Sequence, residues 1–582
     1  MYISQVYLKG FRNFKEAIIN CTEKNLIIGP NDIGKSNFIY ALRILLDRNL
    51  PETILNPIDS DFYAFEQIEN YEIKISFNDI QNTPDKEDCV WAKLGKYISE
   101  SNSIIIKYIA NRNLRTGAKR FELFIGPDEG NLFPIDNRMY LKVLCLEYLK
   151  SNRDLSNFIK KEQNRIIQES KEARQDEDIN KDLLVESKVQ TKLSEVNTTI
   201  NSLSYVNKAT SKLNKELKNL NFNNCQDVEF CAAEIDTDKC INNLNLITKI
   251  GDKTVSIGGD GRANQIFLTL WTNKNIDDTP IHDCVKFFCI EEPEAHLHPH
   301  KQRGLARYIT QRFNSQIFIT SHSPQIASEF SPNSIIKFYH TENGTMAAED
   351  GCSKIIENTF HDFGYRLNII PAEAFYSDVV FLVEGISELL FYKSYAEVID
   401  DLDLEALNIS VLSVDGIGFL PYTNILSKLK IPCVIRTDND FIKVPHNEEY
   451  RFAGFERGID IYNSLSQEEK ITTTIDRLKQ QGCLPDTIKE KLNNLRQKLE
   501  TLNIFIAEKD FETDLYNSPL KDNLDNFYSS SSNIIKDMQK RKGVNIYDYL
   551  LQNKNELKIL KNSELVKPLY RCKDLITGET LE

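Results

Sequence analysis

Reactive residue types gather at a few points along the 582-residue chain, each beside an apolar run. In LIIGPNDIGKSN, Gly29, Gly34, Lys35 and Ser36 stand in G-x-x-x-x-G-K-S register, with Asn31 and Asn37 in the same stretch. Glycines at that spacing let backbone N–H groups turn inward around nucleotide phosphates. The lysine then supplies a point charge and the serine hydroxyl ligates Mg²⁺. VKFFCIEEPEAHLHP delivers two adjacent carboxylates, Glu291 and Glu292. One is suited to holding Mg²⁺ through water and the other to polarising an attacking water. The next apolar run, IFITSHSP, ends in His322, placed to sense a γ-phosphate. Together these residues make a site for ATP and Mg²⁺. A separate set of acids follows: VVFLVEG delivers Glu384, Glu388 comes one helical turn later, and PCVIRT leads into Asp438 and Asp440 in D-x-D spacing. Residues four apart on a helix, or two apart in extended chain, share a face. Four hard oxygen donors therefore converge, and they suit Mg²⁺ or Mn²⁺ in preference to zinc.

A phosphate loop works only between a strand and a helix, and the flanking sequence offers both: an apolar run before Gly29, and apolar residues at helical spacing from Ser36 to Asp47. Val285 to Ile290 and Ser315 to Thr320 read as buried parallel strands with a helix between them. Lys301, Arg303, Arg307 and Arg312 fall on that helix, where a solvated face is the expectation. From about Leu141 to Phe222 the chain becomes charged and free of Gly and Pro, with apolar residues three and four apart. That is a helical insertion, either a solvated arm or a dimerisation element; its flanks favour dimerisation. Beyond Asn368, VVFLVEG, NISVLSV and PCVIRT alternate with helical stretches, as in a second, smaller parallel sheet. The expected fold class is α/β. A head at 1–145 and 226–365 is interrupted by the insertion at 146–225 and followed by a second domain at 366–582.

A hydrophobic fraction of 41% with 27% charged residues belongs to soluble globular proteins, and no apolar stretch is long enough to span a membrane. The opening MYISQVYLKGFRNF lacks the pattern of a signal peptide, so a cytoplasmic location is expected. Twelve cysteines occur without a C-x-x-C pair, which argues against a zinc cage. A formal charge of −14 excludes nucleic-acid binding through bulk charge, leaving local basic patches.

Gly29 to Ser36, Glu291 with Glu292, and His322 resemble the Walker A, Walker B and switch histidine of ABC-type ATPases. VYLKGFRNF followed by the phosphate loop is similar to the heads of the RecF and SMC group. Those relatives sandwich ATP between two heads, which implies a signature loop; SIGGDGRANQ, with Gly259, Asp260 and Gly261 before a helix near Arg262, is the candidate. The E-G-x-x-E at Glu384 and Glu388 with the later D-x-D resembles a Toprim domain, and the order of head, insertion, head and Toprim resembles the OLD family of nucleases. That resemblance implies a second-metal motif at Asp510, Glu512 and Asp514, and a lysine near the scissile phosphate at Lys542. FRNF, IEEPE, SHSP, VEGISE, TDND and DFETDLY are similar to the Gabija branch of the family. The branch implies a DNA-nicking endonuclease of anti-phage defence, restrained by nucleotide, that forms a homo-oligomer (dimer to tetramer) with a superfamily 1 helicase. A retron-associated OLD effector, partnered by a reverse transcriptase and its RNA–DNA product, is the alternative within the class. A RecF- or SMC-like repair clamp and a pure nucleotide sensor are the alternatives outside it.

Overall fold

In the computed structural model, the alternating YISQVYLKGF forms β1 (Tyr2–Phe11) and buries Ile3, Val6 and Leu8. The structure describes residues 1–80, 88–151, 155–220, 228–229, 244, 246–250, 253–256, 260–276, 284–353, 372–415, 418–443, 449–466, 470–472, 486–529, 531–541 and 543–578. The chain divides into two units, one of Met1–Ser151, Pro280–Glu294 and Pro299–Glu582, the other of Asn152–Thr279 and Ala295–His298.

In the first unit, β2 (Phe14–Asn20), β3 (Lys24–Ile28), β4 (Asn70–Asn78), β5 (Ile104–Arg112), β6 (Lys119–Gly126), β7 (Phe133–Ile135) and β8 (Leu144–Leu149) follow β1. After the second unit, which carries the hairpin β9 (Ile247–Ile250) and β10 (Lys253–Ser256), come β11 (Val285–Glu291), β12 (Ile317–Thr320), β13 (Ile335–Thr341) and β14 (Gly344–Ala347). Among the described residues, twelve of these strands form one sheet in the order β7-β6-β5-β4-β1-β2-β14-β13-β3-β12-β11-β8. The stretch β13-β3-β12-β11-β8 is parallel, and its near-continuous apolar runs are what strands covered on both faces require. The helix Lys35–Leu46 covers it, setting Phe38 against Phe318 and Phe338. Because β3, β12 and β11 are neighbours, the phosphate loop, His322 and the Glu291–Glu292 pair leave the same edge of the sheet side by side.

The second unit is built on helices Leu155–Glu172, Asp176–Asn201, Ser204–Leu220 and Asp260–Ile276. The first packs on the last, with the rings of Phe158 and Phe267 4.3 Å apart. The apolar face of Leu155–Glu172 thus finds its cover in a helix beyond residue 260.

Among the described residues a four-stranded parallel sheet follows within the first unit, ordered β16-β15-β17-β20, from β15 (Val379–Val383), β16 (Ile409–Ser413), β17 (Cys433–Thr437) and β20 (Ile504–Ile506). Between β17 and β20 lies the small hairpin β18 (Phe441–Lys443) and β19 (Tyr450–Phe452), clasped by the stacked rings of Phe441 and Tyr450. Among the described residues, no helix is long and apolar enough to cross a membrane.

Candidate functional site

In the head, Gly29 has φ 150° and Gly34 φ 106°, the latter at the start of the helix Lys35–Leu46. A Cβ at Gly34 would stand 2.0 Å from Asn13 Nδ2, so only glycine fits there. Lys35 is buried and its Nζ donates to the carbonyls of Gly29 (2.8 Å) and Pro30 (2.6 Å). Burial brings its pKa down to about 8, against the pull of Glu292 and Asp32. Asn31 is exposed on the loop and Ser36 in the first turn of the helix. Asn37, expected at the nucleotide, is engaged elsewhere. Its amide donates to Asn13 Oδ1 (2.7 Å) and its oxygen accepts from Arg12 Nη1 (3.0 Å). Asn13 in turn donates to the carbonyl of Ile33 (2.6 Å), and Arg12 pairs with the buried Asp61 (2.9 Å). Arg12 and Asn13, from FRNF, therefore brace the phosphate loop from outside.

Glu291 is buried and accepts from the Tyr148 hydroxyl at 2.8 Å. Glu292 takes a left-handed φ of 43°, which turns its side chain out of the strand; its Oε1 lies 3.7 Å from Nε2 of the half-exposed His322. Burial holds the His322 pKa below its ordinary value, helped by the Lys35 charge and opposed by Glu292. Glu294 positions that histidine: its Oε1 accepts from Ser321 Oγ (2.7 Å) and the His322 amide (2.8 Å), while burial raises its own pKa. The candidate signature residue Gly261 lies inside the helix Asp260–Ile276, which begins earlier than expected and where a Cβ would meet the His296 carbonyl at 2.5 Å. Gly259 lies outside the described residues. Along Pro299–Arg312, Lys301, Arg303, Arg307 and Arg312 are exposed, and Arg307 pairs with Glu329.

At the second sheet, Glu384 leaves the end of β15 and its Oε2 accepts from the Asp438 amide (3.0 Å) and Thr437 Oγ1 (3.2 Å) at the end of β17. Arg457, in the helix Ala453–Leu465, places Nη1 3.2 Å from Glu384 Oε2 and Nη2 3.7 Å from Asp440 Oδ2, and donates to the Asp438 carbonyl at 2.9 Å. Glu384, Asp438 and Asp440 are thus brought together around a guanidinium.

Glu388 and Asp514, expected as ligands in that cluster, both pair with Arg436. Both oxygens of Glu388 are engaged, Oε2 by the amides of Glu384 (2.7 Å) and Gly385 (3.1 Å), Oε1 by Arg436 Nη1 (2.5 Å). Asp514 Oδ2 accepts from Arg436 Nη2 at 2.7 Å. Asp438 Oδ1 stands 3.7 Å from the same guanidinium. Burial raises the pKa of Glu388 and of Asp514, and Arg436 opposes both shifts.

Asp510 caps the helix Phe511–Tyr516 through the Thr513 amide (2.8 Å) and also accepts from Gln539 (3.1 Å); Glu512 is buried. Both stand at the end of β20, tied to the D-x-D loop by the Asn439 amide, which donates to the Lys509 carbonyl at 2.7 Å. Among the described residues, no group of three or more His, Cys, Asp or Glu is set to hold a metal ion as the side chains stand. Lys542 lies outside the described residues. Arg12, Asn13, Tyr148, Glu294, Arg436 and Arg457 were missed by sequence reasoning. FRNF, IEEPE and PCVIRT contained four of them in plain view.

The family described as AAA ATPase domain matches residues 1–327, more than half of the chain. The chain belongs to that family. A second family, described as Overcoming lysogenization defect protein-like, TOPRIM domain, matches residues 375–440. This AAA ATPase-domain protein therefore carries an ATPase head followed by an OLD-like TOPRIM domain. It is 26% identical over 558 residues to Endonuclease GajA of Bacillus cereus (strain VD045), covering 89% of this chain and 90% of that protein. Endonuclease GajA of Bacillus cereus (strain HuB5-5) is 29% identical over 182 residues, 27% of this chain and 26% of that one. Among solved structures, the C-terminal region of the Xanthomonas campestris pv. campestris OLD protein aligns with 35% of this chain and 95% of its own, at 20% identity and a TM-score of 0.23, too slight a likeness to bear on the fold.

Proposed function

We propose that this chain is a metal-dependent DNA endonuclease of the OLD family, governed by nucleotide bound in its head and acting in the cytoplasm against phage. The observation that carries the reading is a phosphate-loop head and a TOPRIM acid cluster in one chain, over a length that aligns almost throughout with an endonuclease.

The acid cluster suits a divalent ion in its chemistry. Glu384 and Asp440 present hard oxygen donors around a point where the Arg457 guanidinium sits, and Asp438 turns its carbonyl to the same group. These three would hold Mg²⁺ or Mn²⁺, with Asp510 and Glu512 at the same sheet edge for a second ion. Bound there, such ions supply charge that activates water and stabilises the leaving oxygen. The protein's own part is positional: the Asp438 amide orients Glu384, Glu388 clamps the Glu384–Gly385 turn, and Lys542 neutralises charge at the scissile phosphate. In the head, Lys35, Ser36, Glu291, Glu292 and His322 bind and sense ATP with Mg²⁺, and Gly259 with Gly261, in the first turn of the helix Asp260–Ile276, caps the nucleotide of a second copy. The helix Asp176–Asn201 exposes Leu183, Leu184 and Val185, a surface suited to a homo-oligomer. A superfamily 1 helicase completes the defence system in this reading, with a retron reverse transcriptase as the other candidate partner.

The test is nicking of supercoiled plasmid by the purified protein with Mg²⁺ or Mn²⁺, with and without ATP. Nicking should vanish in Glu384→Ala, and ATP should suppress it in the wild type but not in Lys35→Ala. Nicking that persists in Glu384→Ala, or none in the wild type with either metal, would overturn the reading.

A further inference from the structure

Two arginines enter the TOPRIM acid cluster, and they differ in how firmly they are held. Arg436 is fully buried between Glu388 and Asp514. Arg457 remains about one-third exposed at 34%; it donates to the Asp438 carbonyl, and its looser ion pairs reach Glu384 and Asp440. Among the described residues its buried Nε–H meets no acceptor, so its seat satisfies only part of the guanidinium. The local backbone explains how it reaches the acids. Ala453 N donates to the Asp440 carbonyl at 2.9 Å, and a Cβ at Gly454 would meet the Asp438 carbonyl at 2.3 Å. The first turn of the helix Ala453–Leu465 therefore lies directly against the D-x-D loop. Arg457, four residues after Ala453, shares the face of the helix that looks onto the acids.

We propose that Arg457 is a built-in cation that occupies the Glu384–Asp440 cluster until a divalent metal displaces it, and so sets the metal concentration at which the site loads. The inference rests on the metal site of the proposed function. A carboxylate cluster without a counter-ion is costly even when half-exposed, and a guanidinium between Glu384 and Asp440 lowers that cost while blocking the oxygens a metal needs. Metal binding then exchanges one cation for another and turns Arg457 outward.

Mn²⁺ binding to the full chain, without nucleotide, can be read from the electron paramagnetic resonance signal of the free ion. Arg457→Gln is expected to tighten it by about tenfold, the lower end of what an adjacent opposite charge does at a partly exposed site. Arg457→Lys, which keeps the charge, should stay near the wild type, and Glu384→Gln should weaken binding. If Glu384→Gln loses Mn²⁺ while Arg457→Gln binds no more tightly than the wild type, the displacement idea is wrong and the metal site stands. Undiminished binding in Glu384→Gln would overturn both. A second measurement needs no variant: phenylglyoxal labelling of Arg457 in the wild type, followed by peptide mass spectrometry, should rise when Mn²⁺ is added. Equal or reduced labelling overturns the proposal.

Discussion

Replacing Arg436 by methionine removes a positive charge that Glu388 and Asp514 share, and the geometry sets the size of the loss. Arg436 and Glu388 are each 3% exposed and Asp514 14%. Breaking a buried pair by removing one partner leaves an uncompensated charge and costs about 3–5 kcal/mol. For a unit of a few hundred residues each kcal/mol moves the melting midpoint by roughly 2–4 °C, so the variant should melt about 6–20 °C lower. The pH dependence carries the sign. Burial already holds both carboxyls above their ordinary values, and without the arginine they rise further. A carboxyl raised in the fold binds its proton more tightly there than in the unfolded chain. The stability it contributes is present below the unfolded pKa and is lost as the pH rises through the folded one. The deficit of Arg436→Met should therefore be largest near about pH 8 and shrink towards about pH 5. Scanning calorimetry at both pH values decides the matter. A deficit under about 2 °C, or one equal at the two pH values, would refute the claim that Arg436 neutralises buried carboxylates.

Two further outcomes follow from the same geometry. Gly34→Ala should weaken binding of a fluorescent ATP analogue by at least about tenfold, since the new Cβ strikes Asn13 and φ 106° disfavours any side chain; unchanged affinity would mean the loop tolerates both. Asp514→Asn should lower thermal stability yet leave Mn²⁺ affinity within about threefold, whereas Asp440→Asn should do the reverse. A metal-binding loss in Asp514→Asn would return that residue to the ligand set.

The placement of the glycine-rich loop, Glu291 with Glu292, and His322 at neighbouring strand ends was legible because strand, turn and helix are written locally in the sequence. What packs behind them was not. Arg12 and Asn13 reach the loop from the turn between β1 and β2, and Tyr148 meets Glu291 across 143 positions of chain, so no spacing rule could pair them. The TOPRIM acids show the same limit more sharply. Spacing put Glu384 and Glu388 on one face, but the face alone does not say which carboxylate looks out and which closes on an arginine. Arg436 sat inside PCVIRT, where an apolar strand with one charge reads as a strand; the charge was the clue that buried acids stood opposite. The pairing of the helical unit was hidden for another reason: the partner of the helix Leu155–Glu172 lies beyond residue 260, past a stretch whose composition no longer looks helical.

The helical unit leaves the chain after β8 and returns it before β11, and those two strands are hydrogen-bonded parallel neighbours. It is in effect a very long crossover. Lengthening a connection costs only about 0.6 kcal/mol per doubling, so the sheet tolerates an arm of almost any size at that position. The crossover is thus a socket in which arms of different reach can be exchanged over evolutionary time while the strands carrying the phosphate loop, the two glutamates and the histidine keep their register.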